Sequence, residues 1–142
     1  MGTDAEDLLF PNNGEIPPAI PDGDNYQVSF IRAEKSRPCG QEKVYLWFTM
    51  QSLGLWNGEK FFMACNVSPK GQWTASCKFW QAWVLAAGQR PSRKDRMSTQ
   101  VFRGKVFSVR MRKVLKTAKH LDRTPAQQYS VVDELIEVMV GR

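Results

Sequence analysis

Histidine and cysteine are scarce in this chain. There is one histidine, His120, and there are three cysteines, Cys39, Cys65 and Cys77, with no CxxC spacing among them. A structural zinc site needs paired ligands at short spacing, and a disulfide framework needs an even set of thiols, so neither is expected. Free thiols of this kind fit a reducing cytoplasm. No P-loop, GxGxxG or GxSxG pattern is present. Glu34, Glu42 and Glu59 are scattered over strand ends and loops, nothing points to a carboxylate pair, and His120, in a basic stretch, reads as a surface residue. The expectation is a protein that is not an enzyme and carries no cofactor and no metal.

Long apolar runs are lacking too. The longest lies around Trp80–Ala87 and is interrupted by Gln81. That falls far short of the roughly 20 residues a bilayer span requires, so no membrane association is expected. No basic region followed by an apolar stretch opens the chain, and a secretory signal is not expected either.

Positive charge is missing from the start of the chain. Residues 1–25 hold six acids (Asp4, Glu6, Asp7, Glu15, Asp22, Asp24) and no Lys or Arg. They also hold Pro11, Pro17, Pro18, Pro21, Gly14 and Gly23, without periodicity, and read as a flexible, disordered acidic leader ahead of one folded domain over residues 26–142. All 20 basic residues therefore fall in that domain, where they outnumber its 8 acids. Twelve of them lie between Arg90 and Arg123, against Asp95 and Asp122 alone. So concentrated a charge opposes compaction unless a polyanion screens it. Nucleic acid is the common polyanion, because each phosphate contacted releases a condensed counterion.

What is present is strand periodicity. Tyr26, Val28 and Phe30 alternate with Gln27, Ser29 and Ile31. Glu34–Gln41, with Pro38 and Gly40, reads as a polar loop. Val44, Leu46, Phe48 and Met50 alternate with Lys43, Tyr45, Trp47, Thr49 and Gln51. Asn57-Gly58 then supplies a tight hairpin turn, and Lys60–Val67 returns as the third strand. Phe61 and Phe62 fall on opposite faces, so one of them is expected in the core. A helix follows, with Ser76 as its cap. Phe79, Ala82, Trp83 and Ala86 share one face, Gly88 ends it, and Pro91 prevents continuation. Trp73 reads as a loop residue that plugs the structure. In Lys105–Val114, Phe107, Val109 and Met111 oppose Ser108, Arg110 and Arg112. Gln128–Val140 fits a strand by its β-branched content, although Ser130 and Asp133 would also suit the start of a helix.

The order β-β-β-α-β-β points to a mainly β, five-stranded OB-fold barrel with one helix between strands three and four. The outer face of strands two and three is the oligonucleotide face of that fold. With the aliphatic residues of strand two turned inward, Lys43, Tyr45 and Trp47 turn outward. Exposed rings stack on bases, and lysines neutralise phosphate. Rings on an outer face also pack beneath a loop or at a dimer interface, and that alternative stays open for Tyr45 and Trp47.

On these features the chain resembles the OB-fold single-stranded-DNA-binding proteins of bacteriophages and related mobile elements. The resemblance spans about residues 24–115. It rests on the strand GDNYQVSFIRAE, the strand KVYLWFTM, the return GEKFFMACNV, the helix SCKFWQAWVLAAG and the strand FRGKVFSVRMRKV. It implies sequence-independent binding of single strands in replication or recombination, with replication or recombination proteins as further partners.

The expected contact set follows. Lys43, Tyr45, Trp47, Lys60, Arg110 and Arg112 belong to the sheet, with Trp56 beside the hairpin turn. Arg90, Arg93, Lys94, Arg96, Arg103 and Lys105 form one loop wall, and Lys113, Lys116, Lys119 and Arg123 the other. RNA is an alternative ligand, and a protein-assembly subunit on the same fold is an alternative role. A free strand edge also allows pairing with a second copy of the chain.

Overall fold

A computed structural model of the chain describes residues 17–36, 42–52, 54–66, 77–92, 97–115, 121–124 and 127–140. The alternating segments form five strands: β1 (Gly23–Ser36), β2 (Lys43–Met50), β3 (Lys60–Asn66), β4 (Val106–Val114) and β5 (Tyr129–Val140). Helix α1 (Lys78–Ala87) lies between β3 and β4, followed by a 3-10 turn over Thr99–Phe102. All pairings are antiparallel, in the order β3-β2-β1-β4-β5. Strand β1 is long enough to serve two neighbours. Its first part pairs with β4 and the rest with β2.

The mainly β, OB-type architecture holds, and the ambiguous C-terminal segment is a strand. The sheet is not closed, however. Among the described residues no ladder joins its edges β3 and β5, although the sheet curls far enough to bring them close together, and α1 packs against both.

Alternation explains the interior. Val44, Leu46, Phe48 and Met50 of β2 pack with Phe61, Met63 and Cys65 of β3 and with Phe107, Val109 and Met111 of β4. Helix α1 adds Phe79, Ala82, Trp83 and Ala86, the four residues that share a face at its 3.6-residue period. Its end is fixed by Gly88, whose φ of 75° is the left-handed conformation of a C-terminal glycine and whose N–H donates to Val84 O. At the other end Cys77, not Ser76, holds the N-cap position, and its side chain makes no capping bond. Ser76 and Trp73 lie outside the described residues.

Three local expectations change. First, order begins before residue 26. Strand β1 starts at Gly23, and Ile20 is buried in the core. Ser130 fixes this segment. Its Oγ accepts from Ile20 N at 2.8 Å, and its N–H donates to Pro18 O at 3.0 Å. Asp22 Oδ1 accepts from Lys113 N at 2.8 Å. Residues 1–16 lie outside the described residues. Second, Asn57-Gly58 does occupy a tight turn, closed by Glu59 N to Trp56 O at 3.0 Å, but the turn sits within a longer connection between Met50 and Lys60. Third, Phe61 and Phe62 are both buried. They serve different clusters on the two sides of the sheet.

Candidate nucleic-acid interface

The second cluster lies on the side of β2 opposite the aliphatic core. It comprises Tyr45 and Trp47 of β2, Phe62 of β3, Val114 of β4 and Tyr129 and Val131 of β5, with Ala64 packed against it. Alternation along β2 turns the two rings outward, as expected. They do not lie on an open surface, however: Tyr45 and Trp47 are both 0% exposed. The correction has a packing cause. Phe62 meets Tyr45 edge-on at 5.5 Å and Trp47 at 5.2 Å, and Tyr129 approaches Phe62 at 6.2 Å across the gap between β3 and β5. Edge-to-face ring packing at such separations is favourable.

Two guanidiniums cap this cluster. Arg32 Cζ lies 5.1 Å from the centre of the Trp47 ring, and Arg123 Cζ lies 5.4 Å from that of Tyr129. Both distances suit cation–π attraction. Arg123 is buried, so it is not part of a solvent-facing loop wall as its sequence position suggested.

Arg32 was not among the expected contact residues, and the reason is geometric. By simple alternation it shares the inward parity of Val28 and Phe30. The register shifts between Phe30, opposite Phe48, and Arg32, opposite Trp47. The extra residue, Ile31, is a β-bulge that reverses the parity of all that follows. Ala33 then packs on the core, and Arg32 and Glu34 share the face of Trp47 and Tyr45. An arginine at an apparently inward position was the available signal.

The other expected cations are dispersed. Arg112 stands opposite Val131 and so borders the ring cluster from the β4 side. It donates from Nε to Asp133 Oδ1 at 3.2 Å, and Lys78 Nζ lies 3.4 Å from the same oxygen. Burial alone would raise the Asp133 pKa, but the two cations outweigh it and hold the carboxyl below its usual range. Arg110 pairs with Glu134. Lys43 Nζ donates to Asn66 Oδ1 at 2.6 Å, and its pKa is lowered mainly by burial, with a contribution from the charge of Lys78.

At the C-terminal end of α1, Lys105 Nζ donates to Ala86 O, where the helix dipole favours a cation; Arg90, just past the helix, and Arg103 are exposed. Lys60 is exposed at the start of β3, opposite Thr49. Trp56 is half-buried against the inner core and is not a free finger at the turn. Lys113 is half-buried on β4. Arg93, Lys94, Arg96, Lys116 and Lys119 lie outside the described residues, so the two loop walls are described only at their ends.

The Tyr45 hydroxyl is pushed up to about 12, first by burial and then by the neighbouring Tyr129 and Glu34. Cys65, on the inner side of the sheet, is likewise pushed up to about 12 by burial, partly offset by Lys78 and Lys43. Among the described residues no helix is long and apolar enough to cross a membrane. No family model, no curated protein and no solved structure matches the chain.

Proposed function

We propose that the chain binds single-stranded nucleic acid, DNA in the first instance, without sequence preference, and that it serves replication or recombination in a bacterial or phage-infected cell. One observation carries this reading. On the outer face of β2 and β3, a cluster of four aromatic rings is capped by Arg32 and Arg123 and bordered by Arg112. The rings are themselves enclosed and serve as the support, while the partly exposed guanidiniums of Arg32 and Arg112 at their border supply planar stacking together with phosphate contact. The excess of basic charge in residues 26–142 adds long-range attraction for a polyanion. The resemblance to phage single-stranded-DNA-binding proteins points the same way.

The test is a titration with oligo-dT, followed by intrinsic fluorescence at several salt concentrations, beside the same titration with a duplex. Tighter binding to the single strand, with log K falling linearly against log salt, is the expected result. Equal and weak binding to both, lost at moderate salt, would reduce the charge to a nonspecific property and overturn the reading. An RNA oligonucleotide in the same titration separates DNA from RNA preference.

A further inference from the structure

We infer that Lys78 and Arg112 together form the seat of one backbone phosphate, which the Asp133 carboxylate occupies until a strand arrives. This rests on the reading of the chain as a single-strand binder and names one subsite within it, with a residue, Lys78, that was not among the expected contacts. The first support is the local build of β5. Val132 stands opposite Met111 and Glu134 opposite Arg110, so Asp133 between them is an extra residue, a β-bulge. A bulge re-aims its side chain. Here the carboxylate meets Arg112 of β4 and Lys78, the first residue of α1. Two cations from separate elements are gathered on a single oxygen, Oδ1.

The second support is the balance of charge. Glu134 is paired with Arg110. Lys43 lies near enough for Lys78 to oppose its charge, and its own Nζ donates to the neutral amide oxygen of Asn66. Positive charge exceeds negative around Lys78 even with Asp133 in place. A backbone phosphate, like a carboxylate, spreads a single negative charge over two terminal oxygens, and guanidiniums recognise both in the same two-pronged way. The donors that hold Asp133 therefore suit a phosphate.

The third support is access. Arg112 stands opposite Val131 at the border of the ring cluster, and the side chains of Arg112 and Lys78 are 49% and 41% exposed. A strand lying on the outer face of the sheet can reach both. Arg112 bonds Asp133 through Nε, and its planar fork carries further donors. Ion pairs at partly exposed positions contribute little to stability, whereas a phosphate that replaces the carboxylate also releases the counterion condensed on the strand.

The experiment uses the full chain, an oligo-dT titrated at several salt concentrations, and acetylation of lysines mapped by mass spectrometry with and without saturating oligonucleotide. In the wild type, the strand is expected to protect Lys78 from acetylation. Lys78→Gln and Arg112→Gln should each weaken binding. The double variant should lower the salt slope by about 0.7, the single-strand value for one phosphate, and not by twice that. Asp133→Asn should bind several-fold more tightly at low salt. A thermal melt of each variant confirms that it is folded.

Tight, salt-dependent binding of the single strand with Lys78 as reactive as in the free protein would overturn the inference and leave the functional reading standing. So would a double variant whose slope is unchanged or falls by twice the value for one phosphate, or an Asp133→Asn chain that binds no more tightly than the wild type. Failure of the wild type to bind any oligonucleotide overturns the functional reading and this subsite with it.

Discussion

The two sides of β2 are both buried, yet they are built differently. On the inner side, aliphatic residues and Phe48 meet β3, β4 and α1, and the Trp83 Nε1–H is satisfied, donating to Ser98 O at 2.9 Å. On the outer side, rings meet rings, guanidiniums lie over two of them, and the Trp47 Nε1–H has no acceptor among the described residues. The inner side is organised to be filled. The outer side combines equal burial with an indole donor that has no acceptor among the described residues and with guanidiniums over its rings. Burial alone therefore does not separate the two sides; the state of their polar groups does.

The sharpest way to break this comparison is to truncate one indole on each side. Trp83→Ala is expected to cost about 3–5 kcal/mol of folding stability, the usual range for removing a core indole. Trp47→Ala should cost a similar amount, because its ring is just as enclosed. A denaturant titration reads both. A loss within about 0.5 kcal/mol for Trp47→Ala, the usual range for surface positions, would mean that the outer cluster does not contribute as a core. For that reason Trp47→Ala is a poor probe of binding, and the milder replacement is preferable.

That milder replacement sharpens the contrast. Trp47→Phe retains a ring and removes only an unpaired N–H, whereas Trp83→Phe removes a bonded one and leaves the Ser98 carbonyl without it. Trp83→Phe should therefore be the more destabilising of the two, by about 1 kcal/mol, the net worth of a hydrogen bond. Equal losses from the two replacements would imply that the Trp47 donor is satisfied in solution.

The inner side was legible in the sequence, and the outer side was legible only in part. Val44, Leu46, Phe48 and Met50, the matching residues of β4 and the helical face around Trp83 could all be assigned from periodicity, because a strand has a period of two and a helix 3.6. The same alternation put Tyr45 and Trp47 outward, which is correct. It could not show that Phe62 and Tyr129 enclose them, because that contact joins β3 to β5 across the gap in the curled sheet. Nor could it show Arg32 over Trp47. A single extra residue in β1 reverses the facing of everything after it, and local propensity does not mark where it falls. The leader was misjudged over residues 17–25 for a related reason. Its proline content suggests no structure, but Ser130, far along the chain, supplies the backbone partners.

A smaller effect is expected at the rim of the outer side. Asp133 is shared by Lys78 and Arg112, and its carboxyl is held below the usual value of 3.8. A carboxylate whose pKa is lowered by folding stabilises the fold above its unfolded pKa. That contribution is lost as pH falls through the folded value. Wild-type stability should therefore decline below about pH 4 more steeply than that of Asp133→Asn. At neutral pH the replacement should cost no more than about 1 kcal/mol, since these groups remain partly exposed. It should also strengthen oligonucleotide binding at low salt, by releasing Arg112 beside the rings. Weaker binding in Asp133→Asn would mean that the carboxylate positions Arg112 rather than competing for it.

The smallest expected signal asks whether water reaches the outer rings. Tyr45 is pushed up to about 12 on that side, and Cys65 to about 12 on the inner side, in each case mainly by burial. Both groups are neutral acids whose folded pKa exceeds the unfolded one. Their contribution to stability is complete below the unfolded pKa, near 10 for the tyrosine and 9 for the thiol. It is lost as pH rises toward 12. Ultraviolet absorbance of tyrosinate, taken as the difference between wild type and Tyr45→Phe, should show no ionisation of Tyr45 near pH 10. Cys65 should resist a thiol reagent under the same conditions. If Tyr45 ionises near its ordinary value while Cys65 stays unreactive, solvent enters the outer cluster and not the inner one. The two sides of β2 would then differ in burial as well as in chemistry.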